Sequence, residues 1–386
     1  MCVAKIKKVL RSVKRFFVVI KAVANSSGVG QAIKYVPIFL AGYYKIRLRK
    51  SKVEKAIKNS TECKMMFGND YPDKTFYVIS IDESWCGLFA IVAHQLAQIA
   101  YAIDNGMIPV VDLQNNHTQY LASGYLYKEN AWEYFFEQPY PNLQGGEFLL
   151  SDIKKARNVV ISTFGAHHFG SNYYLGYSRQ DNVAKINFLK PYFKKYIRMN
   201  AETRFFYEKM HEHLFVGKNR VIGVQCRGSD FIVLKPNGHP VQPQPSAVIE
   251  KCDEFIEKYN CDGLYLASED VDICAKFDKH YGDFLIKSNV KRWSVGDLTQ
   301  DGGVKANLDL LEKSDKETKI LNGRHYLSDI YLLTKCKIFV GGITSASLML
   351  KLMPTDFECE YYFNLGSYDN KDGCAKNEKQ EVPVVI

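Results

Sequence analysis

Short apolar runs alternate with longer segments of helical periodicity through most of this chain, and no other feature narrows its possible folds as much. Residues 75–81 (TFYVISI) read as a buried strand, 82–87 as a loop, 88–105 as a helix closed by Gly106, and 108–113 (IPVVDL) as the next strand. Strands joined through a helix run parallel, because a parallel pair cannot be linked by a tight turn. The pattern resumes after residue 205: strands at 221–226, 263–267, 284–286 and 337–340 alternate with helical stretches at 246–259, up to 280, at 322–333 and at 346–353. At 386 residues and 46% hydrophobic, the chain is long enough for two such α/β units. We place them at 62–205 and 206–370, with a leading segment 1–61 and a tail 371–386.

The net charge of +9 is unevenly spread, since residues 1–60 hold 15 Lys or Arg and a single acid, Glu54, which leaves the remainder acidic. That balance argues against a general nucleic-acid surface. Val3, Ile6, Leu10, Val13, Phe17 and Ile20 recur at helical spacing with Lys5, Lys8, Arg11, Lys14, Arg15 and Lys21 mostly between them. Such a basic amphipathic helix suits the headgroup region of an anionic membrane; the plainer reading is a helix packed on the body with a solvated basic face. No apolar run reaches the ~18 residues needed to span a bilayer, and the centre at 16–20 is too short for a secretory signal. The ten cysteines form no CxxC pair and no zinc-like spacing, so they read as reduced thiols. Together these features predict a cytoplasmic protein held peripherally at the inner face of the membrane.

The chemistry concentrates where three strands end. After 221–226 come Arg227, Gly228, Ser229 and Asp230, a cation, a hinge, a hydroxyl and a carboxylate in four residues. A forked, permanently charged donor beside small residues suits a phosphate, although an Arg–Asp pair tying down a loop has the same composition. The strand 263–267 ends in Ser268, Glu269 and Asp270. The strand 337–340 opens into Gly341, Gly342, Ile343, Thr344 and Ser345 before a helix, an arrangement that either cradles phosphate or simply caps the helix. The loop around Trp85 and Gly87 lies at the carboxyl end of the first unit's strand, where ligands of such folds bind.

In order and spacing these strand ends resemble the three motifs of the fucosyltransferase superfamily, the α-1,2-, α-1,6- and protein O-fucosyltransferases. Its first motif reads His-x-Arg-Arg-x-Asp, its second Ala-Thr-Asp-Asp and its third a Ser-Ser turn; here they are Gln225-Cys226-Arg227-Gly228-Ser229-Asp230, Ala267-Ser268-Glu269-Asp270 and Gly342-Ile343-Thr344-Ser345. The likeness covers roughly residues 75–365. It implies a GT-B-like fold, two Rossmann-like domains facing a cleft, with the acceptor on the 62–205 side and a nucleotide sugar on the 206–370 side. It further implies inverting, metal-independent transfer of fucose from GDP-fucose to a glycan or lipid-linked oligosaccharide, with no cofactor beyond the donor. Arg227 would grip the β-phosphate, Thr344 and Ser345 would hold the diphosphate, Glu269 or Asp270 would bond guanine or ribose, and Asp329 would bond guanine or support its pocket. Gln225, Ser268, Trp85 and Gly87 complete the expected donor site.

The chain departs from that pattern at Gln225, which cannot carry a proton as the motif's His can, and at Gly228, where the second Arg is missing. Lys235 stands at the spacing of the glutamate base of the α-1,6 branch, so a base must come from Asp230, Glu83, His239 or His94. Residues 235–245 (KPNGHPVQPQP) are suited to a cover over the cleft. The aromatic-rich stretch around 130–139 reads as packed core or as a sugar platform. Another nucleotide sugar, a non-catalytic glycan- or nucleotide-binding relative, and a ligand-free membrane scaffold are the alternatives.

Overall fold

A computed structural model describes residues 63–80, 86–115, 118–122, 124–141, 146–162, 173–176, 182–228, 235, 237–288, 290, 314–369 and 374–375. The basic segment 1–61, Glu83, Trp85 and Asp230 lie outside them.

The first unit comprises β1 (Cys63–Met65), β2 (Asp70–Ser80), α1 (Leu88–Asp104), β3 (Ile108–Asp112), the short α2 (Leu150–Ile153), β4 (Ala156–Ile161) and α3 (Val183–Tyr196). Its sheet runs β1-β4-β2-β3, with β2 parallel to both β3 and β4 and only edge strand β1 antiparallel. Phe76, Tyr77, Val78 and Ile79 are all buried, as a central parallel strand covered on both faces requires. The helix α1 is largely apolar and is buried nearly all round, its His94, Gln95 and Gln98 included. One side meets the sheet, where the Tyr77 hydroxyl donates to Gln98 at 2.8 Å; another packs Phe89 edge-on against Tyr326 of the second unit.

The second unit follows through α4 (Ala201–Leu214), β5 (Val221–Gln225), α5 (Pro245–Tyr259), β6 (Gly263–Ala267), α6 (Val271–Tyr281), β7 (Leu285–Ile286), α7 (Lys316–Leu333), β8 (Ile338–Gly342), α8 (Ser345–Leu350) and β9 (Cys359–Phe363). Its five strands are all parallel in the order β7-β6-β5-β8-β9. The order reverses between β5 and β8, the switch point at which doubly wound sheets leave a crevice. The chain is thus α/β with two parallel-sheet units, as its alternation predicts.

Helix α7 starts six residues before the expected position at 322. The carboxylate of Asp315 caps it by accepting from the Thr318 N–H at 2.7 Å, and the Asn322-Gly323 pair, which reads as a helix start, lies in its interior. Gly323 is there for space: a Cβ at this position would come within 2.3 Å of the Phe135 ring from the first unit. One hydrophobic core therefore runs through both units, joining Tyr77, Phe89, Trp132 and Phe135 to Tyr265, Leu327, Phe339 and Met349. Trp132, Phe135 and Phe136 are at most 1% exposed, so these rings of the 130–139 stretch are core and offer no sugar platform. A separate cluster of Ile222, Val224, Val248, Phe255 and Phe277 fills the far face of the second sheet. No described helix is long and apolar enough to cross a membrane.

Candidate functional site

The three polar strand ends meet at the switch point. Gln225 is paired in register with Ala267 on one side and Gly341 on the other, so the turns after β5, β6 and β8 lie side by side. Each reaches the next through side chains. The Arg227 Nε stands 3.8 Å from the Glu269 carboxylate, the Gly228 N–H donates to that carboxylate at 3.2 Å, and the Thr344 hydroxyl donates to the side-chain amide oxygen of Gln225 at 3.2 Å.

Most of the expected donor residues prove to be the frame of these turns. Asp270 is 3% exposed and caps α6, its Oδ1 accepting from the N–H groups of Asp272 and Ile273 at 2.9 and 3.0 Å. Ser268 is buried and accepts from the Asp270 N–H at 3.3 Å. Thr344 caps the six-residue α8 in a reciprocal box with Ser347, accepting from the Ser347 N–H at 3.1 Å while its own N–H donates to the Ser347 hydroxyl at 2.8 Å. Asp329 is buried in the helix–sheet interface and accepts from the Tyr265 hydroxyl at 2.8 Å. Partly exposed polar side chains remain at Arg227, Glu269 and Ser345. They form the accessible face, and Gly87, exposed at the N-cap of α1, belongs to the first unit's side.

The missing second arginine has a local cause. A Cβ on Gly228 would lie 2.4 Å from Asp270 Oδ2 and 2.7 Å from Ile273 Cδ1, closer than real side chains tolerate. The capping carboxylate occupies the position from which a second cation would extend. Arg227 is the one cation of the first motif.

The structure adds residues that the sequence does not single out. Tyr120, in the loop after β3, accepts a hydrogen bond from Leu88 N–H at the start of α1 at 3.0 Å. Burial holds its phenol far above the ordinary range, with Tyr326 beside it adding to the rise and the nearby Arg227 charge opposing it. It therefore stays protonated within electrostatic reach of Arg227. Its neighbour Gln119 donates to the Cys86 carbonyl at 2.7 Å and receives the buried Lys319 ammonium of α7 on its own carbonyl at 2.8 Å. This chain locks the start of α1 to the second unit. A tyrosine in an aromatic-rich loop carries no sequence signal that would separate it from core.

Of the candidate bases, Asp230 and Glu83 are outside the described residues. His94 is 7% exposed and lies against the Tyr174 ring. The backbone of His239 accepts from Tyr368 N–H at 2.9 Å. Beyond it Gln242 clamps the proline-rich segment to the third turn, donating to Pro240 and Ile343 carbonyls at 3.1 and 2.9 Å. Gly342 has no room for a side chain because the Gln242 oxygen would stand 2.4 Å from it. This half of the expected cover is thus pinned onto β8. Among the described residues no group of three or more His, Cys, Asp or Glu is placed to hold a metal ion.

No family model matches the sequence, and no curated protein matches it. Among solved structures, the fucosyltransferase NodZ from Bradyrhizobium is similar at 15% identity and a TM-score of 0.43, over 75% of this chain and 96% of that one, for an α-1,6-fucosyltransferase co-crystallised with GDP. A mutant of FUT1 from Arabidopsis thaliana in complex with GDP matches at 12% identity and a TM-score of 0.42, over 87% of this chain and 81% of that one. POFUT1 in complex with GDP matches at 9% identity and a TM-score of 0.37, over 75% and 98%.

Proposed function

We propose that the protein is a glycosyltransferase that binds a nucleoside-diphosphate sugar at the switch point of its second sheet. The observation that carries this is the convergence of the three motif turns on one partly exposed arginine. Adjacent strands lie about 4.8 Å apart, so the turns after β6, β5 and β8 span roughly 10 Å, a length that one nucleoside diphosphate bridges. Arg227 would exchange its long contact with Glu269 for the β-phosphate and stabilise the charge that develops as the nucleotide leaves. Ser345 would add a hydroxyl to the diphosphate, and Glu269 would accept from a ribose or base. Gln225, Ser268, Asp270 and Thr344 would act one step back by holding the turns in register, and Asp329 by bracing β6.

On the motif resemblance, the donor is GDP-fucose and the transfer is inverting and independent of metal. The acceptor is a glycan of surface polysaccharide synthesis, met at the inner membrane face where the basic segment 1–61 holds the enzyme. Asp230, the last residue of the first motif, is the candidate base. A second reading, a binding relative without turnover, is favoured by one feature: Gly228 leaves the first motif with a single cation, already near a carboxylate.

A thermal-shift series with GDP, GDP-fucose and uridine nucleotide sugars separates these readings, because a ligand at 100 times its Kd stabilises by about 2.7 kcal/mol. A shift specific to guanine nucleotides, with donor turnover lost in Arg227→Ala at unchanged melting temperature, is the expected result. A shift without turnover on a panel of glycan acceptors supports the binding relative. No shift with any nucleotide sugar refutes the donor site.

A further inference from the structure

We propose that the outward face of α3 is a docking surface for an anionic lipid bilayer. The proposal deepens the membrane placement given above by assigning a contact to the folded body, and it does not depend on the identity of the donor. Helix α3, VAKINFLKPYFKKY, contains four lysines and no acid. At 100° per residue, the exposed positions Lys190, Val183, Lys194, Asn187, Pro191, Ala184, Lys195 and Phe188 form one continuous arc. The inward arc of Leu189, Phe193 and Tyr196 is buried, and α3 packs it against α1.

Two properties of this arc favour lipid. Its charge is of one sign in a body whose remaining residues are acidic overall; the neighbouring α4, by contrast, mixes Glu202, Glu208 and Glu212 with its bases. Large apolar groups also stand in it, since Val183 is 65% and Phe188 40% exposed. A nucleic acid or acidic polymer would need only the cations. A bilayer uses both, with rings and aliphatic groups entering the headgroup boundary while lysines meet phosphate. Phe188 is backed by the rings of Tyr173 and Tyr192, 5.8 and 5.4 Å away, which hold it outward. The acid at the rim, Asp104, accepts a hydrogen bond from Tyr192, and Arg198 just past the helix is paired with Glu137.

The test is vesicle flotation of the full chain with phosphatidylcholine, with and without phosphatidylglycerol. Binding should require the anionic lipid and fall with salt. Each lysine near such a surface is worth about fivefold in partition, so Lys190→Glu with Lys194→Glu and Lys195→Glu should lower binding more than tenfold. The corresponding triple change to Gln, milder for folding, should lower it in the same direction. The indole introduced by Phe188→Trp should shift to the blue and be quenched by brominated lipid. Unchanged binding by both triple variants overturns the proposal. So does an indole indifferent to vesicles in a protein whose lysine variants lose affinity for heparin, which would mark a polyanion site. Neutralising Lys5, Lys8, Arg11 and Lys14 tests the amino-terminal segment separately; binding that survives this change and is lost in the α3 variants refutes the segment's role and upholds this one.

Discussion

Three residues at strand ends carry opposite lessons about charge. Arg227 is partly exposed and near Glu269, a pairing worth at most about 1 kcal/mol at such a site, so a phosphate can displace it at little cost. Arg227→Lys should keep a cation but lose the two-pronged grip, raising the donor KM at least tenfold in steady-state kinetics with little change in melting temperature. At the adjacent position, Gly228→Ala should cost about 1–3 kcal/mol in chemical denaturation, because the new methyl group meets Asp270 and Ile273. Arginine at 228 is reachable only if Asp270 changes with it. Asp112, at the end of β3, is 3% exposed and held by Ser80, Gln114 and Asn115. Burial raises its carboxyl above the ordinary value against the lowering effect of those donors. A folded-state value above the unfolded one means that rising pH removes stability, beginning as the unfolded carboxyl ionises and ending at the folded value. Wild-type stability relative to Asp112→Asn should therefore fall as pH climbs through the carboxylate range. A flat difference in denaturation midpoints across that range would contradict the assignment.

Among the elements, the strands were the most legible. The run 263–267 forms β6 with the expected limits, because four apolar residues bounded by Gly263 and by Ser-Glu-Asp leave little choice. Helix α7 was less so: its true start depends on an Asp315 cap that any loop aspartate could mimic, and Gly323 reads as a break when its role is to admit Phe135. The same holds for the site. Which turns converge was visible in their order along the chain, since in parallel sheets every strand end of a unit lies on one edge. Which polar side chains face out was not. Asp270 and Thr344 belong to residue types that serve equally as ligand groups and as caps, and only burial separates the two uses. Asp270→Ala should accordingly destabilise by about 1 kcal/mol through loss of the α6 cap, measurable in urea, and should raise the donor KM less than Arg227→Ala does.

At the scale of the molecule, the shared core decides how the two units behave. Gly323 seats Phe135, Phe89 meets Tyr326, and Lys319 anchors Gln119, so apolar and polar ties alike cross between them. Unfolding followed by calorimetry should show one cooperative transition; two well-separated transitions would mean that the units are stable apart. Paired-domain enzymes are often pictured as clamshells that shut on their substrates, yet that motion needs an interface that is small, wet and easily parted. Here opening the shell would expose buried aromatic rings to water. The two units should then move as one body, and the radius of gyration in solution should stay constant when nucleotide is added.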